Sequence, residues 1–150
     1  KVRSQGNEKV IDPMLVIIDK NDMPEAARQA HSMLGELKIS AAADLLIDRA
    51  LKGDYPNLCK DMIYFIWHSG LQPNDRVDDI IRIAIAGDFE VALECYTLID
   101  TLDGPFKEEV LLEAMVLLKE YMLANTKNDK FNLVASIFEC VKTFDSQLLG

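Results

Sequence analysis

The sequence predicts an all-α fold in which seven or eight helices pair into about three and a half antiparallel hairpins, stacked as an α-α superhelix. Three observations predict it: evenly spaced glycines, cap-forming residues or prolines between them, and apolar residues at helical period. Five of the seven glycines, Gly35, Gly53, Gly70, Gly87 and Gly104, stand 18, 17, 17 and 17 residues apart. Glycine is favoured just past a helix C-terminus because it takes the left-handed conformation without a Cβ clash. The even beat therefore predicts rods of equal length, about 13 residues and about 20 Å each.

The expected starts agree with these stops. Asp12-Pro13 opens a helix over 12–20, Asp22-Met23-Pro24 one over 23–37 and Ser40 one over 40–52. Asp54-Tyr55-Pro56 opens a helix over 55–69, Pro73-Asn74 one over 74–86, Asp88 one over 88–102 and Gly104-Pro105 one over 105–124. The polar stretch from Asn125 to Lys130 breaks the beat before a last helix over 129–145. Residues 1–11 are expected to be a flexible N-terminal segment and 12–150 a single domain.

Within the segments the apolar residues recur at 3.6-residue spacing, as in Val77, Ile80, Ile81, Ala84 and Ile85, or Val134, Ile137, Phe138 and Val141. Strand-like alternation is not sustained over comparable lengths, although Met14 to Ile18 alone reads equally as a buried strand. A longer period of about 34 residues is visible where Gly53-Asp54-Tyr55 returns as Gly87-Asp88-Phe89. One hairpin per period is the expected unit.

The stretch Asp22-Met23-Pro24-Glu25-Ala26-Ala27-Arg28-Gln29-Ala30, running on to Met33-Leu34-Gly35-Glu36-Leu37, resembles the first helix of a HEAT repeat. Asp12 to Lys20 resembles that family's second helix, and the likeness extends with weaker copies over residues 12 to 104. Asp54-Tyr55-Pro56 lacks the family's Glu, and Asp88-Phe89-Glu90-Val91 lacks its Pro. The resemblance implies an armadillo-like α-solenoid that scaffolds protein partners, and it brings no catalytic residues.

Charge narrows the partners. Sixteen Lys and Arg against twenty-five Asp and Glu give a net charge of −9 in 150 residues. Such a surface repels phosphate backbones and anionic lipid, so neither nucleic acid nor a membrane surface is expected. The longest apolar run, Met62 to Trp67, has six residues and cannot span a bilayer. Cys59, Cys95 and Cys140 are odd in number and widely spaced, which predicts free thiols and a reducing, cytoplasmic setting.

Candidate sites are few. On the second helices of the hairpins, Asp44, Asp48, Asp79, Arg82 and Glu113 lie opposite the apolar stripe and predict an acidic concave surface for a basic protein partner. The competing reading is a solvated face with i,i+4 pairs such as Asp48 with Lys52 and Asp78 with Arg82. His31 and His68 have no ligand spacing around them, so no metal, cofactor or catalytic group is predicted. Trp67, with Tyr64 and Phe65, is either core or an interface anchor. The function expected is a non-enzymatic interaction or scaffold module. The alternatives are a lyase-like or ligand-binding domain with a pocket between hairpins, and a self-associating domain joined through its solenoid ends, where Leu148 and Leu149 lie.

Overall fold

A computed structural model describes residues 8–36 and 40–149. The described residues form eight α-helices and three 3-10 turns, with no strand among them. The helices are α1 (Ile11–Lys20), α2 (Pro24–Leu34), α3 (Ser40–Lys52), α4 (Cys59–His68), α5 (Val77–Ala86), α6 (Phe89–Thr101), α7 (Glu108–Ala124) and α8 (Asp129–Leu149). Short 3-10 turns over Glu8–Val10, Pro56–Leu58 and Asn74–Arg76 lead into α1, α4 and α5. Met14 to Ile18 lies within α1 and is helical. Of the segment expected to be flexible, Glu8 to Val10 form the first turn and Ile11 is fully buried, while residues 1–7 lie outside the described residues. The expected end of the second helix at Leu37 also lies outside them.

The chain divides into two compact units, Lys1–Gln72 and Pro73–Gly150. In the first, α1 packs on α2 and α3 on α4, and the turn at Pro56–Leu58 rests on α1. Leu15, Leu34, Leu46, Ile47, Met62, Ile63, Phe65 and Ile66 are each at most 1% exposed. Burying each such side chain contributes about 1.5–3 kcal/mol. The buried Ser69 hydroxyl donates to the Leu34 carbonyl at 3.3 Å, which ties the end of α4 to the end of α2.

In the second unit α5 pairs with α6 and α7 with α8; in addition α5 packs on α7, and α6 on α8. The sequence arranges this through apolar stripes on more than one side of each helix. Ile80, Ile81 and Ala84 of α5, Ala92, Cys95, Leu98 and Ile99 of α6, Leu111, Ala114 and Leu118 of α7, and Val134, Ile137 and Val141 of α8 are all fully buried. Near the ends of the second hairpin the rings of Phe106 and Phe144 stack at 4.3 Å.

The glycine beat has more than one physical origin. Gly53 and Gly70 have φ of +73° and +76°, the left-handed conformation expected after a helix, whereas Gly104, φ +84°, lies three residues beyond Thr101, after α6 has ended in an extended Leu102. Gly35 and Gly87 are not left-handed: their φ values are −70° and −87°. Gly87 is held by space, since a Cβ there would come 2.5 Å from Val91 Cγ1. Asn21, φ 49°, takes the left-handed position after α1 instead. The echo of Gly53-Asp54-Tyr55 in Gly87-Asp88-Phe89 is therefore not an echo of conformation. Asp88 caps α6 by accepting from Val91 N at 2.9 Å, whereas Asp54 lies 3.8 Å from Arg49 as an ion-pair partner.

Helix lengths also differ from an even ruler. The first six run to 10–13 residues, then α7 has 17 and α8 has 21. Pro105 stands ahead of α7 rather than in its first turn, because the helix begins only at Glu108, after an extended Lys107. The last helix starts where Asn128 Oδ1 accepts from Phe131 N at 2.8 Å, and it continues four residues beyond the expected stop at 145.

Candidate functional site

Three of the five residues predicted to face a partner meet in the second unit. Arg82 lies one turn along α5 from Asp78 and Asp79, and α7 carries Glu113 alongside. Its Nη1 donates to Asp79 Oδ1 at 2.9 Å and to Asp78 Oδ2 at 3.3 Å, and its Nη2 donates to Glu113 Oε2 at 2.9 Å. Arg76 completes the group, its Nε donating to Asp79 Oδ2 at 2.7 Å. Burial works against the Arg82 charge, but hydrogen bonds and charges from Asp78 and Asp79 outweigh it, so the guanidinium pKa is raised.

Two guanidinium groups thus face three carboxylates, and the network ties α5 to α7. Asp78 with Arg82 was legible as a helical i,i+4 pair; Arg76 and the cross-helix contact to Glu113 were not. Asp44 and Asp48 belong to α3 in the first unit, Asp44 exposed and Asp48 half-buried.

A second charged cluster, which the sequence reading missed, joins α1 to α3. Arg49 Nε and Nη2 each donate to Asp12 at 2.9 Å, one to each carboxylate oxygen, and the Tyr55 hydroxyl lies 3.4 Å from Oδ1. The hydrogen bonds from Arg49 hold the Asp12 carboxyl below its ordinary 3.8, against burial, which raises it. The residues are 37 apart, beyond any local pattern.

Aromatic side chains of the first unit gather along α4 and meet α2. Tyr64 stacks on His68 at 4.9 Å and meets Trp67 edge-on at 5.1 Å, and His31 meets Phe65 at 4.7 Å. Phe65 is buried and Trp67 half-buried, so Trp67 stands at the edge of the core. His31 Nε2 lies 3.8 Å from Asp61 Oδ1. Among the described residues no three His, Cys, Asp or Glu side chains converge as a metal site.

The three cysteines carry free thiols, Cys95 fully buried. Burial pushes the Cys140 thiol up from its ordinary value, which keeps it protonated and a poor nucleophile. None of the described helices is long and apolar enough to cross a membrane.

One surface carries apolar side chains that the sequence reading placed nowhere. On α7, Leu112, Val116 and Leu123 are 48%, 52% and 88% exposed, on the side opposite buried Leu111, Ala114 and Leu118. The signal was present in the near-continuous apolar character of Val110 to Leu118, which leaves more apolar faces than two neighbouring helices cover. The chain matches no protein-family model, no curated protein and no solved structure.

Proposed function

We propose that this chain is a HEAT-like α-solenoid segment acting as a non-enzymatic scaffold for a protein partner. The observation that carries this reading is the layering inside the second unit. Successive hairpins place α5 against α7 and α6 against α8, so like-placed helices stack, as repeated hairpins do when each buries the face its neighbour leaves open. Charged side chains reach solvent from this layer, with Asp79 and Arg82 half-buried and Glu113 exposed; in the first unit Asp44 of α3 is exposed. Carboxylate-rich surfaces of this kind govern association rate and partner choice more than raw affinity. The free thiols accord with a reducing compartment.

Affinity capture from host extract, with the wild-type chain and an Asp44→Lys/Asp48→Lys variant side by side, tests the reading. A protein enriched by the first and depleted by the second is the expected result. Capture of no protein by the wild-type chain would remove the scaffold reading.

A further inference from the structure

The outward side of α7 is an apolar strip with an acidic border. At about 100° per residue, Leu112, Val116 and Leu123 fall within about 40° of one another and span about 16 Å along the helix. Glu109, Glu113 and Glu120 follow on one side of them, all exposed. Lys119 lies just outside the strip, on the side opposite these three carboxylates, and its ammonium lies 5.7 Å from the centre of the Phe138 ring of α8. Glu113 is engaged by Arg82, which leaves Glu109 and Glu120 as the charges that most shape the border.

We propose that this strip docks an amphipathic helix of a partner protein whose apolar stripe is flanked by Lys or Arg. The inference rests on the scaffold reading and specifies the partner's chemistry. Apolar side chains at i, i+4 and i+11 match the ridge of a helix laid alongside, the mode in which one helix seats its apolar face on another. The charge selects among occupants. A second copy would bring Glu108, Glu109 and Glu120 of α7 against the same three carboxylates, with Lys119 as the one cation of that helix and Arg82 already committed to Glu113, and like charges across an interface disfavour it. Phosphate-bearing ligands meet the same repulsion. A basic helix meets attraction along the border and apolar contact along the strip.

The test uses two synthetic helical peptides with the same leucine stripe, one flanked by lysines and one by glutamates, titrated into the isotope-labelled full chain. The lysine peptide should bind, shifting the amide signals of α7. Affinity should fall about tenfold or more with Leu112→Asn/Val116→Asn, and again with Glu109→Lys/Glu120→Lys, which should restore binding to the glutamate peptide. All four positions are exposed, so these variants retain the fold, which their unfolding curves check.

Equal affinity of both peptides, no binding, or binding that neither variant weakens overturns the proposal. Self-association abolished by Leu112→Asn/Val116→Asn also overturns it and assigns the strip to a second copy. If host capture yields a partner that the α7 variants still retain, the strip falls while the scaffold reading stands. If capture yields nothing, the scaffold reading itself falls.

Discussion

The ammonium of Lys130 donates to the Ile85 carbonyl oxygen at 2.7 Å and also to that of Gly87. Lys130 stands in the first turn of α8, 45 residues along the chain, and its acceptors are carbonyls at the end of α5, which no further turn of helix would satisfy. The same ammonium lies 5.2 Å from the centre of the Tyr121 ring. One side chain thereby closes α5, braces the link to α6 and joins both to the second hairpin. Burial lowers its pKa, with Asp88 opposing.

Lys130→Met keeps the aliphatic stem and removes the donors. It is expected to destabilise the chain by about 1–2 kcal/mol. Urea denaturation reads this as a lower midpoint at unchanged slope, and an unchanged midpoint would mean that the helix end is satisfied by water instead.

The Asp12 and Arg49 pair makes stability depend on pH in a defined direction. Because folding lowers the Asp12 pKa, the contribution is fully present above the unfolded-state value, about 4, and is lost as the pH falls through the lower folded value. Asp12→Asn should therefore be less stable than wild type at pH 6, by about 0.5–1.5 kcal/mol for a pair this solvated. The gap should narrow below pH 4, and urea midpoints at pH 6 and pH 3 check the sign. A gap that widens on acidification would mean that the carboxyl is not the group under strain.

These two contacts also mark what the sequence could convey. The eight helices were legible because caps, prolines and 3.6-residue spacing act within one turn or two. The bounds 40–52 match α3 as observed, and 12–20 differs from α1 by one residue. The pairings Asp12 with Arg49 and Lys130 with Ile85 were not legible, since they span 37 and 45 residues and depend on where hairpins land. Of the expected partner-facing residues, Arg82 carried a local signal of pairing, through Asp78 four residues before it, whereas Glu113 joins them only through the packing of α7 on α5. Glycine spacing misled about cause: Gly87 records a close contact with Val91, which sequence spacing cannot distinguish from a left-handed stop.

Truncating the aromatic cluster separates core from edge. Phe65 is 1% exposed and packed against His31, so Phe65→Ala should cost about 3–5 kcal/mol. Trp67 is half-buried with its ring edge on Tyr64, and Trp67→Ala should cost less, about 2–3 kcal/mol. Denaturation of the two variants under one condition gives the order. A larger loss at Trp67 would make it a true core residue despite its partial exposure.

Gly87 allows a contact to be told from a conformation. Its backbone is extended, φ −87° and ψ 179°, which any residue adopts, but a Cβ would lie 2.5 and 2.6 Å from Val91 Cγ1 and Cβ. Val91 is itself 8% exposed in the first turn of α6, so neither side can move away freely. Gly87→Ala should thus destabilise by about 1–3 kcal/mol through overpacking, and Gly87→Ala/Val91→Gly, which removes both close atoms, should lose less than the two single changes summed. Gly53→Ala offers the contrast: nothing lies within 4 Å of its Cβ position, but φ is +73°, so the loss of about 1–2 kcal/mol comes from backbone strain. No neighbouring truncation should relieve that loss, whereas Gly53→Asn should be milder, because Asn tolerates the left-handed region. Strict additivity of the Gly87 and Val91 changes would show that the close approach is not what excludes a side chain there.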